Sequence, residues 1–382
     1  MSFKYIKVKT KGQIEGEELL VPKLRFKEFN SEYKKYKIGD TLKVKSGKDQ
    51  KSIECINGKY PILGTGGQIG TTNSFLYDKP SVLIGRKGTI NKPQYMTTPF
   101  WTVDTLFYTD IKEEFNTKYI FYAFQNINWK KYDESTGVPS LNCKTIEEIL
   151  YYIPNKDEQD TISTFITLLD KKIELQKQKI EALKIYKRGL IQKIYQTNYN
   201  NKIKMKEILI QKSIRNTNYK KYNVYSVSNK GGFILQTDQF KERMVASEDT
   251  RNYKVVEKDD FAYNPARINV GSIARMKQDI KGIISPMYIC FKCNEKIIPE
   301  YLEYFFESSK FTYEMNKRLE GSVRMCLSYE SMLNIPIELP NKNEQEKTSE
   351  ILKSLSQKIK KEEKKYMELN RLKKGLLQKM FI

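Results

Sequence analysis

One internal repeat governs what this chain can fold into. Pro154-Asn155-Lys156-Asp157-Glu158-Gln159 recurs as Pro340-Asn341-Lys342-Asn343-Glu344-Gln345. The offset from 154 to 340 is 186, and it holds without a gap for about forty residues. It carries Lys187-Arg188-Gly189-Leu190-Ile191-Gln192-Lys193 onto Lys373-Lys374-Gly375-Leu376-Leu377-Gln378-Lys379. Within each copy the spacing 3, 4, 3, 4 runs through Ile166, Leu169, Ile173, Gln176, Ile180, Leu183, Lys187, Leu190 and Ile194. In the second copy it runs through Leu352, Leu355, Ile359, Glu362, Tyr366, Leu369, Lys373, Leu376 and Met380. An apolar seam of this length predicts two long coiled-coil helices, each about 39 residues or roughly 58 Å. The seam breaks twice at one register, at Gln176/Glu362 and at Lys187/Lys373. Polar residues in a seam cost stability but fix register and partner, so the matched breaks point to a specified pairing.

Glycine inside a helix costs about 1 kcal/mol against alanine. Gly189 and Gly375 accept that cost at one register, which suggests either close approach of another backbone or a glycine-capped, frayed end. The helix ends, with Gly189, Leu190, Gly375 and Leu376 as contact residues, are expected to be partner-docking or helix-packing sites.

The regions preceding the helices, about 35–152 and 203–338, are rich in Tyr, Ile, Val, Phe and Gly. Short strand-like runs occur at Ser81–Ile84, Thr105–Tyr108, Phe261–Tyr263 and Tyr288–Phe291. They resemble one another loosely. Residues 116–124 parallel 298–306 as short helices, Gly85–Ile90 parallels Arg267–Ile273, and Ser135-Thr136-Gly137 parallels Leu319-Glu320-Gly321. The expected order is an N-terminal segment 1–34, a globule 35–152, a helix 153–200, a globule 201–338 and a helix 339–382.

Chemistry is constrained by what is missing. With no histidine in 382 residues, Ser-His-Asp and Cys-His triads and imidazole zinc sites are excluded. Five cysteines make no disulfide framework and fit a reducing compartment; Cys290-x-x-Cys293 lies in an apolar run with no second pair to complete a metal site. No signal-peptide core or eighteen-residue apolar run occurs, so a cytoplasmic location is expected. Gly64–Gly70 departs from the dinucleotide and P-loop patterns and reads as a flexible segment near a polyanion, with Thr65 and Gln68 as its donors. Asn264-Pro265-Ala266-Arg267 lacks the second proline and aromatic of an amino-methyltransferase loop and reads as a turn. No Pro-Asp pair stands upstream of the E-x-K strings to make a nuclease site.

The formal net charge is +22, an excess that points to nucleic acid or an anionic surface. Arg86, Lys87 and Lys92 flank Gly85 and Gly88; Arg267 and Arg275 flank Gly271, and Arg318 and Arg324 flank Gly321. Any one of these taken alone reads as a solvated surface charge. As sets repeated in both globules beside glycines, they are the candidates for DNA contact, since arginine pairs bidentately with guanine.

Taken together, Pro22-Lys23-Leu24-Arg25-Phe26, Ile153-Pro154-x-x-x-Glu158-Gln159 and the closing Lys374-Gly375-Leu376-Leu377-Gln378-Lys379-Met380-Phe381 give a chain that resembles the specificity (S) subunits of type I restriction–modification systems. The resemblance covers nearly the whole chain. It implies mixed α/β structure: two similar target-recognition domains joined by two long helices packed antiparallel, with a pseudo-two-fold axis. It also implies a non-catalytic chain that binds double-stranded DNA and no cofactor of its own. Two methyltransferase subunits would bring S-adenosylmethionine, and restriction subunits, where they join, ATP and Mg. Because the two globules differ in their loops, an asymmetric split target is expected. The alternatives are a self-contained adenine methyltransferase or nuclease with fused recognition domains, and a coiled-coil interaction protein with incidental charge.

Overall fold

The computed structural model describes residues 21–197, 201–218, 220–229, 231–239, 249–322 and 324–382. Before residue 21 it describes only the strands Ile6–Val8, Gln13–Ile14 and Glu17–Glu18, so the expected N-terminal segment 1–34 lies partly outside the described residues. The long helices span Lys156–Gln196 and Lys342–Met380. The chain divides into two compact units, Met1–Lys177 with Lys364–Ile382, and Gln178–Glu363. Each unit therefore holds the leading half of one long helix and the trailing half of the other, an antiparallel arrangement in both.

The units repeat one construction. In the first, an antiparallel sheet runs Gln94–Met96, Ser81–Gly85, Leu106–Ile111, Leu42–Lys45. In the second, Ile273–Arg275, Phe261–Tyr263, Ile289–Cys293 and Leu209–Gln211 follow in the same order. A second sheet in each unit contains a parallel pair. Trp101–Thr102 lies beside Tyr60–Gly64, which turns back as Gly67–Thr72. Gly282–Ile284 lies beside Asn223–Ser228, which turns back as Gly232–Leu235. The likeness is closer than the sequence suggests.

The repeated Asn-x-x-Glu-Gln explains how each long helix starts. Asn155 Oδ1 accepts from the Glu158 amide at 3.0 Å, and Asn341 Oδ1 from the Glu344 amide at 3.0 Å, capping one orphan donor at each start. Gln159 Oε1 accepts from the Asn116 amide at the head of the short helix Thr117–Asn126, and its Nε2 donates to the Pro154 carbonyl. Gln345 does the same for the Ile298 amide, at the head of Pro299–Phe306, and the Pro340 carbonyl. Both glutamines are buried, so each pins a long helix to a short one through groups that would otherwise lack partners.

The helix tails close the cores. Leu376, Leu377, Met380 and Phe381 enter the first core, where the Phe381 ring lies 5.1 Å from that of Tyr119. Ile191 and Tyr195 enter the second, where the Tyr195 ring lies 5.0 Å from that of Tyr301 and its hydroxyl donates to the Tyr301 carbonyl. Tyr195 and Phe381 are related by the offset of 186. Every seam position is buried or half-buried. The matched lysine breaks have a specific use. Lys187 Nζ lies 5.1 Å from the Tyr304 ring centre and 2.8 Å from Glu307; Lys373 Nζ lies 5.6 Å from the Tyr122 ring centre and 2.7 Å from Asp170. At the other break, Glu362 pairs with Lys179 at 2.6 Å.

One asymmetry stands out. Glu158 is fully buried and receives Arg25 Nε at 2.8 Å and Nη2 at 2.6 Å, with the Tyr33 hydroxyl at 3.2 Å. Its counterpart Glu344 is exposed. Removing one partner of a buried pair strands the other charge, so Arg25→Ala should destabilise the first unit by about 3–5 kcal/mol. Glu344→Ala removes only a favourable helix-start charge and should cost no more than about 1 kcal/mol. Urea unfolding of the two variants checks this; equal losses would contradict it.

Candidate nucleic-acid interface

In the first unit three loops from distant parts of the chain meet. The 85–90 loop leaves strand Ser81–Gly85, and Gly88 takes the left-handed conformation, φ 82°. Its amide donates to the Pro139 carbonyl at 2.8 Å, while the Leu141 amide donates to the Arg86 carbonyl at 2.8 Å, joining it to the 134–141 loop. The hairpin tip between Gly64 and Gly67 completes the group: a Cβ on Gly88 would lie 4.0 Å from Thr65 Oγ1. Gln94 Nε2 holds that tip through the Gly64 carbonyl at 2.9 Å. Asp133 accepts from the Ser140 and Ser135 amides and the Ser135 hydroxyl, and the two amides chiefly hold its carboxyl below the usual range.

The second unit builds the same group. The 264–272 loop follows strand Phe261–Tyr263, with Asn264 Oδ1 accepting from the Ala266 amide, a turn as the sequence suggested. The Leu327 amide donates to the Pro265 carbonyl at 3.1 Å, as Leu141 does to Arg86. Asn229, which follows strand Asn223–Ser228, approaches Gly271, whose Cβ would lie 3.5 Å from that of Asn229. The 134–141 and 320–327 loops correspond at both their ends, at the offset of 186. The Glu134 amide donates to the Ser140 carbonyl and the Glu320 amide to the Cys326 carbonyl. The Glu134 carboxylate accepts from the Thr145 hydroxyl, and that of Glu320 from the Ser331 hydroxyl at 2.8 Å. Leu141 and Leu327 are both buried beneath.

These loops gather most of the basic candidates and exclude others. Lys87, Lys92, Gln68, Arg267 and Arg324 are exposed, and Thr65 is half-buried at the tip. Arg86 is half-buried, its guanidinium donating to the Asp104 carbonyl at 3.3 Å with one face toward the Phe107 ring. Arg267 does not occupy Arg86's place; the carbonyl pairing puts Pro265 there, with Arg267 two residues further on. Arg275 is a correction. Its side chain is 7% exposed and enclosed by Asp259, Glu300 and Glu303, which neutralise it and turn it away from a polyanion. Arg318 is likewise held by the carbonyl and carboxylate of Glu314, at 2.7 and 2.6 Å. Ser135 pairs with Gly321, not Leu319, because the anchoring glutamates fix the register. Sequence reasoning missed Val138, which is 67% exposed at the loop crest; the repeated Glu-x5-Ser/Cys-Leu was the available signal.

At the helix tails, Leu376 is buried in the first core and the half-buried Leu190 packs against the second, so these two serve packing within the chain, one of the two roles expected of the helix ends. Among the described residues, a Cβ at Gly189 or Gly375 would meet nothing within 4 Å beyond its own helix, so no other described backbone approaches either glycine. Both helices also run past the glycine, to Gln196 and Met380, so neither is an end cap. Burial pushes both Cys290 and Cys293 thiols up to about 12, as expected of inert core cysteines. Among the described residues no cluster of three metal-ligating side chains occurs, and no helix is long and apolar enough to cross a membrane.

The family described as "Type I restriction modification DNA specificity domain" matches this chain twice, over residues 30–184 and 201–371. A type I restriction enzyme specificity subunit, MjaVIII of Methanocaldococcus jannaschii, is 25% identical over 295 residues, 68% of each chain. Among solved structures, the S subunit of a type I restriction–modification system from M. genitalium covers 95% of this chain and 99% of its own, at 18% identity and a TM-score of 0.62. A chain from a structure of type I system complex assembly covers 91% of this chain and 97% of its own, at 10% identity and a TM-score of 0.55. At these identities the structural matches speak for the fold.

The two classes of arginine should separate experimentally. Arg86→Ala should leave thermal stability within about 0.5 kcal/mol and change DNA binding, as expected of a surface group. Arg275→Ala takes the cation from Asp259 and Glu300, leaves Glu303 with Lys277 alone, and should lower the melting temperature. Melting curves beside DNA titrations would reveal the split; a destabilised Arg86→Ala with wild-type DNA binding would refute it.

Proposed function

The chain belongs to the type I restriction–modification DNA specificity family, and on that premise we propose that it reads a split, asymmetric DNA target for a methyltransferase complex. One observation carries the reading. The same loop arrangement is built twice, with backbone bonds from Leu141 and Leu327 and from Glu134 and Glu320 in matching places, and presents different side chains each time. A repeated frame with changed side chains suits two half-sites of different sequence, since phosphate contacts position a protein while base-edge contacts specify. Arg86, Lys87, Lys92, Thr65 and Gln68 would serve one half-site, and Arg267 and Arg324 the other.

The chain itself is non-catalytic in this reading. S-adenosylmethionine belongs to two methyltransferase subunits, and ATP and Mg to restriction subunits where they join. The open faces at Gly189 and Gly375 are the docking places. Each has an exposed apolar residue one turn earlier, Tyr186 at 63% and Leu372 at 36%, related by the repeat. A self-contained enzyme has no support in the family match.

Mapping methylated adenines with and without this chain tests the role. Methylation should require the chain and fall at two different half-sites separated by unread base pairs; a single contiguous or symmetric site would overturn the split reading. Gly189→Leu and Gly375→Leu should fold, because each site is open and each change raises helix propensity by about 1 kcal/mol. Both should weaken methyltransferase recruitment in pull-downs. Full recruitment by both would move the docking surface elsewhere.

A further inference from the structure

The 134–141 and 320–327 loops share one frame, so a single position can be compared between the units. Val138 corresponds to Arg324 at the offset of 186. Each is exposed, and each is held by the same pair of supports: the amide of Glu134 or Glu320 bound to the far side of the loop, and a buried Leu141 or Leu327 beyond. In the first loop the Ser135 hydroxyl donates to the Val138 carbonyl at 2.7 Å, which fixes the crest and leaves the isopropyl group outward. Lys87 bridges Ser140 in the same loop, so Val138 lies beside the basic 85–90 loop.

A singly exposed valine is ordinary on a protein surface. This one occupies a position that carries arginine in the other unit, on a loop anchored in both units by a glutamate amide and a buried leucine. Those two side chains match two different features of the major groove. An aliphatic group contacts the thymine C5-methyl, and a guanidinium pairs with guanine O6 and N7.

We propose that positions 138 and 324 are corresponding specificity-determining residues, Val138 selecting a thymine methyl in one half-site and Arg324 a guanine in the other. The assignment rests on the DNA-reading role above and adds the base that each position selects. Both side chains are exposed on loops that share two anchors, so exchanging them exchanges the preferences.

The test uses the full chain with its methyltransferase partner and a randomised duplex library. Val138→Arg should change one base pair of one half-site from T·A to G·C, by about tenfold, and leave the other half-site as it was. Arg324→Val should make the reverse change in the other half-site. Independently, replacing the assigned thymine by deoxyuridine removes only its methyl. That should weaken wild-type binding by about three- to tenfold and leave Val138→Gly unaffected. Val138→Gly removes an exposed side chain, so it decides the matter even if Val138→Arg fails to fold. Unchanged preferences in both half-sites, with deoxyuridine tolerated by a wild type that still selects its target, would overturn the assignment alone. A wild-type complex that selects no sequence would overturn the recognition role with it.

Discussion

Each unit's core is finished by a helix end that arrives from outside its own globule. Phe381 against Tyr119 and Tyr195 against Tyr301 are the closing contacts, at nearly equal ring separations. Around them, Lys373 over Tyr122 and Lys187 over Tyr304 anchor the same tails from the side. At the head of each short helix, just before the tyrosine of the ring pair, Gln159 or Gln345 holds the start of the other long helix. A short helix is thereby clamped between the beginning of one long helix and the end of the other. The long helices cannot be regarded as mere linkers, because neither globule buries its core without them.

The clamp separates what must be constant from what can vary. Buried groups, the capping asparagines, the glutamine bridges and the ring pairs, recur in both units. So do the backbone bonds from Leu141 and Leu327 and from Glu134 and Glu320. The exposed loop positions do not recur: Val138 gives way to Arg324, and Arg86's place is taken by Pro265. A surface substitution away from packed features costs little stability. Recognition can therefore diverge at the loops while the frame beneath them stays fixed, which is the economy expected of a chain that reads two different half-sites.

The long helices and their repeat were legible because the 3,4 seam is a local signal, written in consecutive residues. The sense of its lysine breaks was not. Their partners, Tyr304 with Glu307 and Tyr122 with Asp170, lie partly in the globules, and no periodicity announces them. Glycine-flanked arginines were legible as a class, yet Arg275 proved internal because Glu300 and Glu303 come from a helix that sequence proximity does not connect to it. The three-loop group was hidden for a similar reason: it is held by main-chain bonds such as Leu141 to Arg86 and Leu327 to Pro265, which impose no residue type. Only the buried leucine and the anchoring glutamate leave a trace, too sparse to be seen without the frame.

The central claim is that the two loop groups read separate halves of one target. Photo-crosslinkers placed in turn at Lys87 and at Arg324, in the chain bound to its methylation site with its partners, test it directly. The account predicts crosslinks from Lys87 to bases of one half-site and from Arg324 to bases of the other, with little from a control at Lys177 on the first long helix. Crosslinks from both loops to the same half-site, or stronger ones from the helix, would contradict it.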